Sequence, residues 1–157
     1  MKNLKDIEIC EMVQSDGEFV LEIRNDDRTR LSLHNSEKFS IDAFNDWYYY
    51  EKPYWFIASY KNERFGYFRT NYAEPDTSRS IQIGMDIHPN FRGRGLATLS
   101  FLKFFELLSG KGYRTVWLEV LEDNVIAYSL YLKLRFKETN RTKRYDQKIS
   151  ITMTREL

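Results

Sequence analysis

One cysteine, Cys10, stands in a chain of 157 residues. That excludes an intrachain disulfide and any metal site built from clustered cysteines. Only three prolines, with 30% charged residues, argue against a disordered chain. No apolar run approaches the ~20 residues that cross a bilayer. Behind the lysines of Met1-Lys2-Asn3-Leu4-Lys5-Asp6 there is no apolar signal core. A cytoplasmic protein without a membrane partner is the expectation. An excess of one charge is missing too: 24 basic residues against 23 acidic ones give +1, which is not the footprint of a general nucleic-acid binder. A local exception runs from Lys133 to Lys148, where Lys133, Arg135, Lys137, Arg141, Lys143, Arg144 and Lys148 face only Glu138 and Asp146. Such a run reads first as a solvated face and second as an attractor for a phosphorylated ligand. No repeat, low-complexity stretch or Gly/Ser linker marks a boundary, so residues 1–157 are expected to form a single domain. At this length roughly 70% of the unfolded surface can be buried, enough for a core without staples.

The first ten residues alternate loosely at Leu4, Ile7 and Ile9, as an edge strand would. Phe19, Leu21 and Ile23 fit a short helix or a strand equally well. Ser40 is a candidate N-cap for a helix carrying Phe44, Trp47 and Tyr48 on one stripe, ended by Pro53. Trp55 to Tyr60 and Gly66 to Thr70 read as strands joined by the polar turn Lys61-Asn62-Glu63-Arg64. From Ser80 to His88 the period is two: Ile81, Ile83, Met85 and Ile87 alternate with Gln82, Gly84, Asp86 and His88. Pro89 stops that strand. An apolar helix follows over Leu96 to Ser109, ended by Gly110 and Gly112. Thr115 to Leu121 is a strand, and Asp123 or Asn124 can cap a helix reaching about Leu134. Strands separated by a polar hairpin complete the chain. The order predicts an α/β or α+β fold with a mixed sheet.

Between a strand and a helix lies Arg92-Gly93-Arg94-Gly95-Leu96-Ala97. A helix N-terminus exposes unpaired N–H groups and the positive end of the dipole, and glycines before it let the backbone curl around a bound group. Two arginines add charge and bidentate donors, so a pyrophosphate suits this loop; a plain strand-to-helix turn with solvated arginines is the alternative. No Gly-Lys-Ser/Thr occurs, which excludes the Walker loop, and the glycine spacing and position do not fit a dinucleotide fold.

These residues resemble the acetyl-CoA pyrophosphate loop of the Gcn5-related N-acetyltransferase (GNAT) family, Arg/Gln-x-x-Gly-x-Gly/Ala. Upstream, Met85-Asp86-Ile87-His88-Pro89 looks like that family's fourth strand, whose splayed end receives the pantetheine arm. Downstream, Leu118-Glu119-Val120, then Asn124, Ala127 and Leu130-Tyr131-Leu132-Lys133-Leu134-Arg135-Phe136 resemble its fifth strand and next helix, with wording near N-x-x-A-x-x-L-Y-x-K-x-G-F. The resemblance covers about residues 80 to 138. It implies a mixed central sheet of about six to seven strands, splayed at the fourth and fifth, flanked by about four helices. It also implies acetyl-CoA as acetyl donor, without a metal, bound by Met85, Ile87, the loop from Arg92 to Ala97 with Thr98, and Asn124, Ala127 and Tyr131. Arg135 stands where the family usually has glycine, so the turn there is expected to be made differently or the last strands to enter at a changed angle.

Asn124, Ala127 and Tyr131 share one helix face. In the family the tyrosine is the usual general acid toward the departing thiolate; packing is the other reading of Tyr131, and a simple N-cap that of Asn124. Asp86 and Glu119 are the candidate carboxylates for the base, directly or through water, and a structural role is the other reading of each. His34 and His88 are the only histidines and read as surface or hydrogen-bonding residues. Cys10 lies far from the motif without a His–Asp context, which excludes a cysteine-nucleophile scheme.

Phe44 to Phe68 holds 12 aromatics in 25 positions, most of which are expected in the core, with some, such as Trp47, Tyr49 or Tyr50, available to wall an acceptor cleft. Arg24, Asn25, His34 and Trp47 resemble, over about residues 18 to 50, the branch with ribosomal-protein N-terminal and amino-sugar-nucleotide acetyltransferases. The implied activity is direct acetyl transfer to a small-molecule primary amine, with an amino-sugar nucleotide leading and a protein N-terminus or polyamine behind it. A non-catalytic acyl-CoA-binding sensor and a nucleotide-phosphate binding module are the alternatives. A homodimer is the expected assembly.

Overall fold

Seven strands form where the sequence alternates or turns β-branched: β1 (Ile7–Glu11), β2 (Phe56–Tyr60), β3 (Glu63–Thr70), β4 (Ser80–Ile87), β5 (Thr115–Leu121), β6 (Lys137–Lys143) and β7 (Ile149–Glu156). The computed structural model describes residues 1–33, 35–71 and 78–157. All seven strands join in one sheet of order β1-β2-β3-β4-β5-β7-β6. Five α-helices accompany it among the described residues: α1 (Gly17–Arg24), α2 (Asp27–Arg30), α3 (Ile41–Glu51), α4 (Leu96–Gly110) and α5 (Val125–Lys133). The fifth beyond the expected four is the single turn α2. No helix among the described residues is long and apolar enough to cross a membrane.

Among the described residues the one parallel pairing is that of β4 with β5, joined through α4. It covers only Ser80↔Thr115, Ile81↔Val116 and Gln82↔Trp117. Beyond those residues β4 runs on to Ile87 beside β3, and β5 runs on to Leu121 beside β7. The sheet therefore opens into a wedge between its fourth and fifth strands, as expected. Burial follows the split. Ile81 and Ile83 are buried, but further along it is Asp86 that is buried while Met85 and Ile87 are only half-covered.

The sheet is packed on both faces. Phe68 stacks on Phe104 of α4 with ring centroids 4.1 Å apart, and Phe56 and Phe101 complete that group. Neighbouring Tyr67 and Ile57 point the other way, into a second cluster with Val20, Ile23 and Phe44 from α1 and α3. Segment 19–23 is helical for this reason: Phe19, Val20 and Ile23 are buried as one helical stripe, whereas a strand would have buried Leu21 with Phe19 and Ile23. Ser40 Oγ accepts the N–H of Ala43 and caps α3, which ends on Lys52 in the left-handed conformation just before Pro53.

Two turns differ from expectation. The hairpin from β2 to β3 uses only Lys61 and Asn62, both at positive φ (49° and 67°), so β3 starts at Glu63 rather than Gly66. A two-residue turn of this hand matches the twist of the strands it joins. At Arg135 the chain turns as a glycine would, with φ 66°, and β6 then begins at Lys137. The expectation of a differently made turn is thus corrected: arginine itself adopts the left-handed conformation, and the strain stays in the backbone. Every residue of β6 is exposed. Its Arg141 pairs with Glu138 and, at 3.3 Å, with Glu122, and the run from Lys133 to Lys148 is largely a solvated, charged sheet edge.

Candidate active site

The wedge contains a small polar cavity of about 120 Å³. Met85 and Asp86 line it from β4, Glu119 from β5, and Asn124, Ala127 and Tyr131 from α5. Six residues singled out by two separate sequence motifs therefore meet at one place. Tyr131 is 9% exposed, its ring held edge-on between Phe101 and Phe136 at centroid distances of 5.9 and 5.7 Å. Burial pushes its phenol up to about 12, the Arg69 charge pulling slightly down and the Asp86 charge slightly up. At neutral pH it holds its proton and is a donor. Asn124 caps α5 through its side-chain oxygen, which accepts the N–H of Ala127 at 3.3 Å. The cap and the cavity position coexist in one residue.

Asp86 is 8% exposed and sits opposite Tyr67 across β3 and β4. Its Oδ2 accepts a hydrogen bond from Arg69 Nε at 3.0 Å. Arg69 in turn is the register partner of Gly84. With no side chain there, the guanidinium leans across β4 and reaches Asp86, the diagonal neighbour. The Arg69 side chain is 35% exposed and lines the cavities on either hand. Desolvation is the largest influence and works against its charge, but the Asp86 carboxylate together with the Tyr67 and Tyr131 phenols outweighs it and the pKa ends above the usual value. The fully buried Tyr67 hydroxyl makes no well-formed hydrogen bond, and burial followed by the adjacent Asp86 charge pushes its pKa well above the ordinary phenol value.

At the end of β4 the loop from Arg92 to Gly95 turns into α4 with Gly93 and Gly95 at φ 72° and 75°. A β-carbon on either would meet nothing within 4 Å, so the space beside both glycines is open. No side chain caps α4, which leaves the first-turn N–H groups of Leu96, Ala97 and Thr98 for an external acceptor. The two arginines take different directions. Arg92 turns inward, its Nε donating to the Ile87 carbonyl and its Nη2 to Thr29 Oγ1, and burial lowers its pKa. Arg94 stays on the surface over the Phe91 ring at 4.9 Å, free to meet an anion.

Beside the wedge lies a larger cavity of about 380 Å³. Its walls include Leu33, Phe44, Trp47 and Trp55, with Arg24 on one side and Arg69 on the other. Arg69 thus borders both cavities. Of the predicted acceptor residues, Arg24 and Trp47 are at this wall. Asn25 is not: its amide donates to the Phe39 carbonyl at 2.7 Å and accepts the Phe39 N–H at 2.8 Å, which anchors the cavity rim. His34 lies outside the described residues. His88 caps the turn Pro89–Phe91 through Nδ1 and meets Glu22 through Nε2. No group of three or more His, Cys, Asp and Glu that could hold a metal occurs among the described residues.

Sequence reasoning missed Arg69, Tyr67 and Gly84. Period two places Tyr67 and Arg69 on one face of β3, but nothing local marks Gly84 as the partner of Arg69 or Asp86 as that of Tyr67.

The model of the acetyltransferase (GNAT) family matches residues 18–136. No curated protein matches the chain in sequence. Solved structures do match in fold. A ribosomal-protein-alanine N-acetyltransferase from Brucella melitensis is 16% identical, with a TM-score of 0.78 over 96% of this chain and 99% of that one. A ribosomal L7/L12 alpha-N-protein acetyltransferase in complex with coenzyme A is 15% identical, with 0.80 over 97% and 94%. The aminoglycoside acetyltransferase AAC(6')-Ib with ribostamycin and coenzyme A is 17% identical, with 0.81 over 96% and 93%.

Proposed function

Because this chain belongs to the acetyltransferase (GNAT) family, we propose that it moves an acetyl group from acetyl-CoA directly to a primary amine of a small molecule. The observation that carries this reading is Tyr131, a buried phenol that keeps its proton, placed in the wedge between the separated strands. The pyrophosphate of the donor fits the open loop and first turn of α4, with Arg94 as its cation. The thioester then enters the wedge past Met85 and Ile87. The amine nitrogen attacks the thioester carbonyl carbon, the nitrogen–carbon bond forms and the carbon–sulfur bond breaks. Tyr131 gives its proton to the departing thiolate. Asp86 and Glu119 are the carboxylates that can take the proton the amine loses, directly or through water. The amino-sugar nucleotide remains the acceptor suggested by the wording at residues 18 to 50, and Arg24 and Trp47 are the wall residues that would meet it.

A panel of amines assayed for thiol release from acetyl-CoA tests the reading. Tyr131→Phe should lower kcat by roughly 10²–10⁴-fold while the acetyl-CoA Kd moves less than about tenfold. Thiol release by no amine, with intact acetyl-CoA binding, would make the protein a binding module instead.

A further inference from the structure

The larger cavity is apolar except for Asn35 and its two guanidinium groups, and no carboxylate lines it among the described residues. Arg24 spends both terminal nitrogens on the backbone carbonyls of Asn35 and Glu37 and lies over the Phe39 ring, with no acidic partner among the described residues. Burial lowers its pKa, a sign of a cation held in a poorly solvated wall. Arg69 uses Nε on Asp86, and its two terminal nitrogens bond no other described residue. Two cations therefore share a cavity that no described carboxylate lines, Asp86 and Glu119 standing in the adjoining wedge. That arrangement selects an anion. No residue of the loop before α4 lines this cavity, so the anion is not the donor's pyrophosphate. It belongs to the acceptor.

The free edge of the Arg69 fork presents two parallel N–H groups, which match the two oxygens of one carboxylate. Around it, Leu33, Phe44 and Trp47 offer an apolar wall with no polar side chain for sugar hydroxyls apart from Asn35. On its other side Arg69 borders the cavity of Tyr131 and Asp86, where the amine must react. A carboxylate on Arg69 thus puts an α-amine nitrogen, two bonds from the carboxylate carbon, on the side of the thioester.

We propose that the acceptor is a compact amino acid, its carboxylate on Arg69 under the field of Arg24 and its apolar, ring-bearing side chain in the cavity walled by Trp47. This rests on the transferase reading above, keeps its small-molecule amine, and puts an amino acid in place of the amino-sugar nucleotide.

The experiment compares phenylalanine, phenylalanine amide and 2-phenylethylamine as acceptors, which share a ring and an amine but not the carboxylate. The expected result is a kcat/KM for phenylalanine about tenfold or more above both analogues, carried mainly by KM. Arg69→Gln and, separately, Arg24→Gln should bring that ratio toward one, and two variants guard against one that fails to fold. Equal or better turnover of the neutral amines, or preferential turnover of an amino-sugar nucleotide or a peptide N-terminus, overturns the proposal and leaves the transferase standing. Should no amine release thiol, calorimetry of N-acetylphenylalanine and its amide against the CoA-loaded protein decides: tighter binding of the carboxylate supports the site, and equal binding overturns it.

Discussion

The guanidinium of Arg69 occupies the space that a side chain on Gly84 would need: a β-carbon there would lie 2.6 Å from Nη2 and 2.8 Å from Cζ. The clash is with the flexible end of a side chain, so the fold can yield by moving Arg69 rather than the backbone. Gly84→Ala is therefore expected to leave the unfolding free energy within about 1 kcal/mol of the parent, since alanine is also the better strand residue. It should nonetheless dislodge Arg69 from Asp86 and raise the acceptor KM. Urea unfolding beside steady-state kinetics checks both halves, and a large loss of stability with unchanged kinetics would contradict the expectation.

Tyr131 has a signature in stability as well as in rate. Its folded pKa of about 12 exceeds the ordinary phenol value of 10.0. The proton is held more tightly in the folded chain, so this contribution is intact below pH 10 and is lost as pH climbs from 10 toward 12. Urea unfolding between pH 10 and 11 should show a decline shallower by about 1 kcal/mol per pH unit in Tyr131→Phe than in the parent. Parallel declines would place the phenol in a more solvated setting.

Arg135 is exposed and left-handed. Replacing it by glycine removes the β-carbon penalty without touching the core, and Arg135→Gly is expected to stabilise the protein by about 1 kcal/mol. Chemical denaturation measures this directly. A loss of stability would mean that the arginine side chain contributes more than its backbone costs.

Gly95 precedes the uncapped turn of α4. In Gly95→Glu the unliganded protein should melt lower, from strain at φ 75°, and the increment in melting temperature on adding acetyl-CoA should vanish. For the parent that increment corresponds to about 2.7 kcal/mol at 100 times the Kd. The increment, not the absolute temperature, is the readout. A preserved increment would move the pyrophosphate away from this loop.

Much of the fold was legible because its signals are local. The period of two around Ile81 and Ile83, the cap at Ser40 and the apolar run of α4 each act within a few residues. The loop and the α5 motif were legible for the same reason, and the wedge brings their residues together. The acceptor side was not. Arg69 and Asp86 meet through a diagonal across two strands that depends on the absence of a side chain at Gly84, and a missing atom leaves no pattern. Asn25 read as a ligand contact because an exposed-looking amide beside Arg24 gives no sign that the Phe39 backbone will claim it. Arg135 breaks a glycine rule, and only the backbone angle reveals that the turn survived at the expense of strain.

A sheet of seven strands ordinarily has two rims, but separation of β4 from β5 after Gln82 and Trp117 gives this one four. The inner two face each other, and along them the peptide groups that point inward have no strand to bond. Water can serve them while the wedge is empty. An arm bearing amide groups, laid between the rims, would exchange those waters for ladder-like bonds and stand in for the missing stretch of pairing. The molecule then gains rigidity along these inner rims at the moment it is loaded, and the middle of the sheet, not its periphery, becomes the part whose hydrogen exchange should slow most on binding.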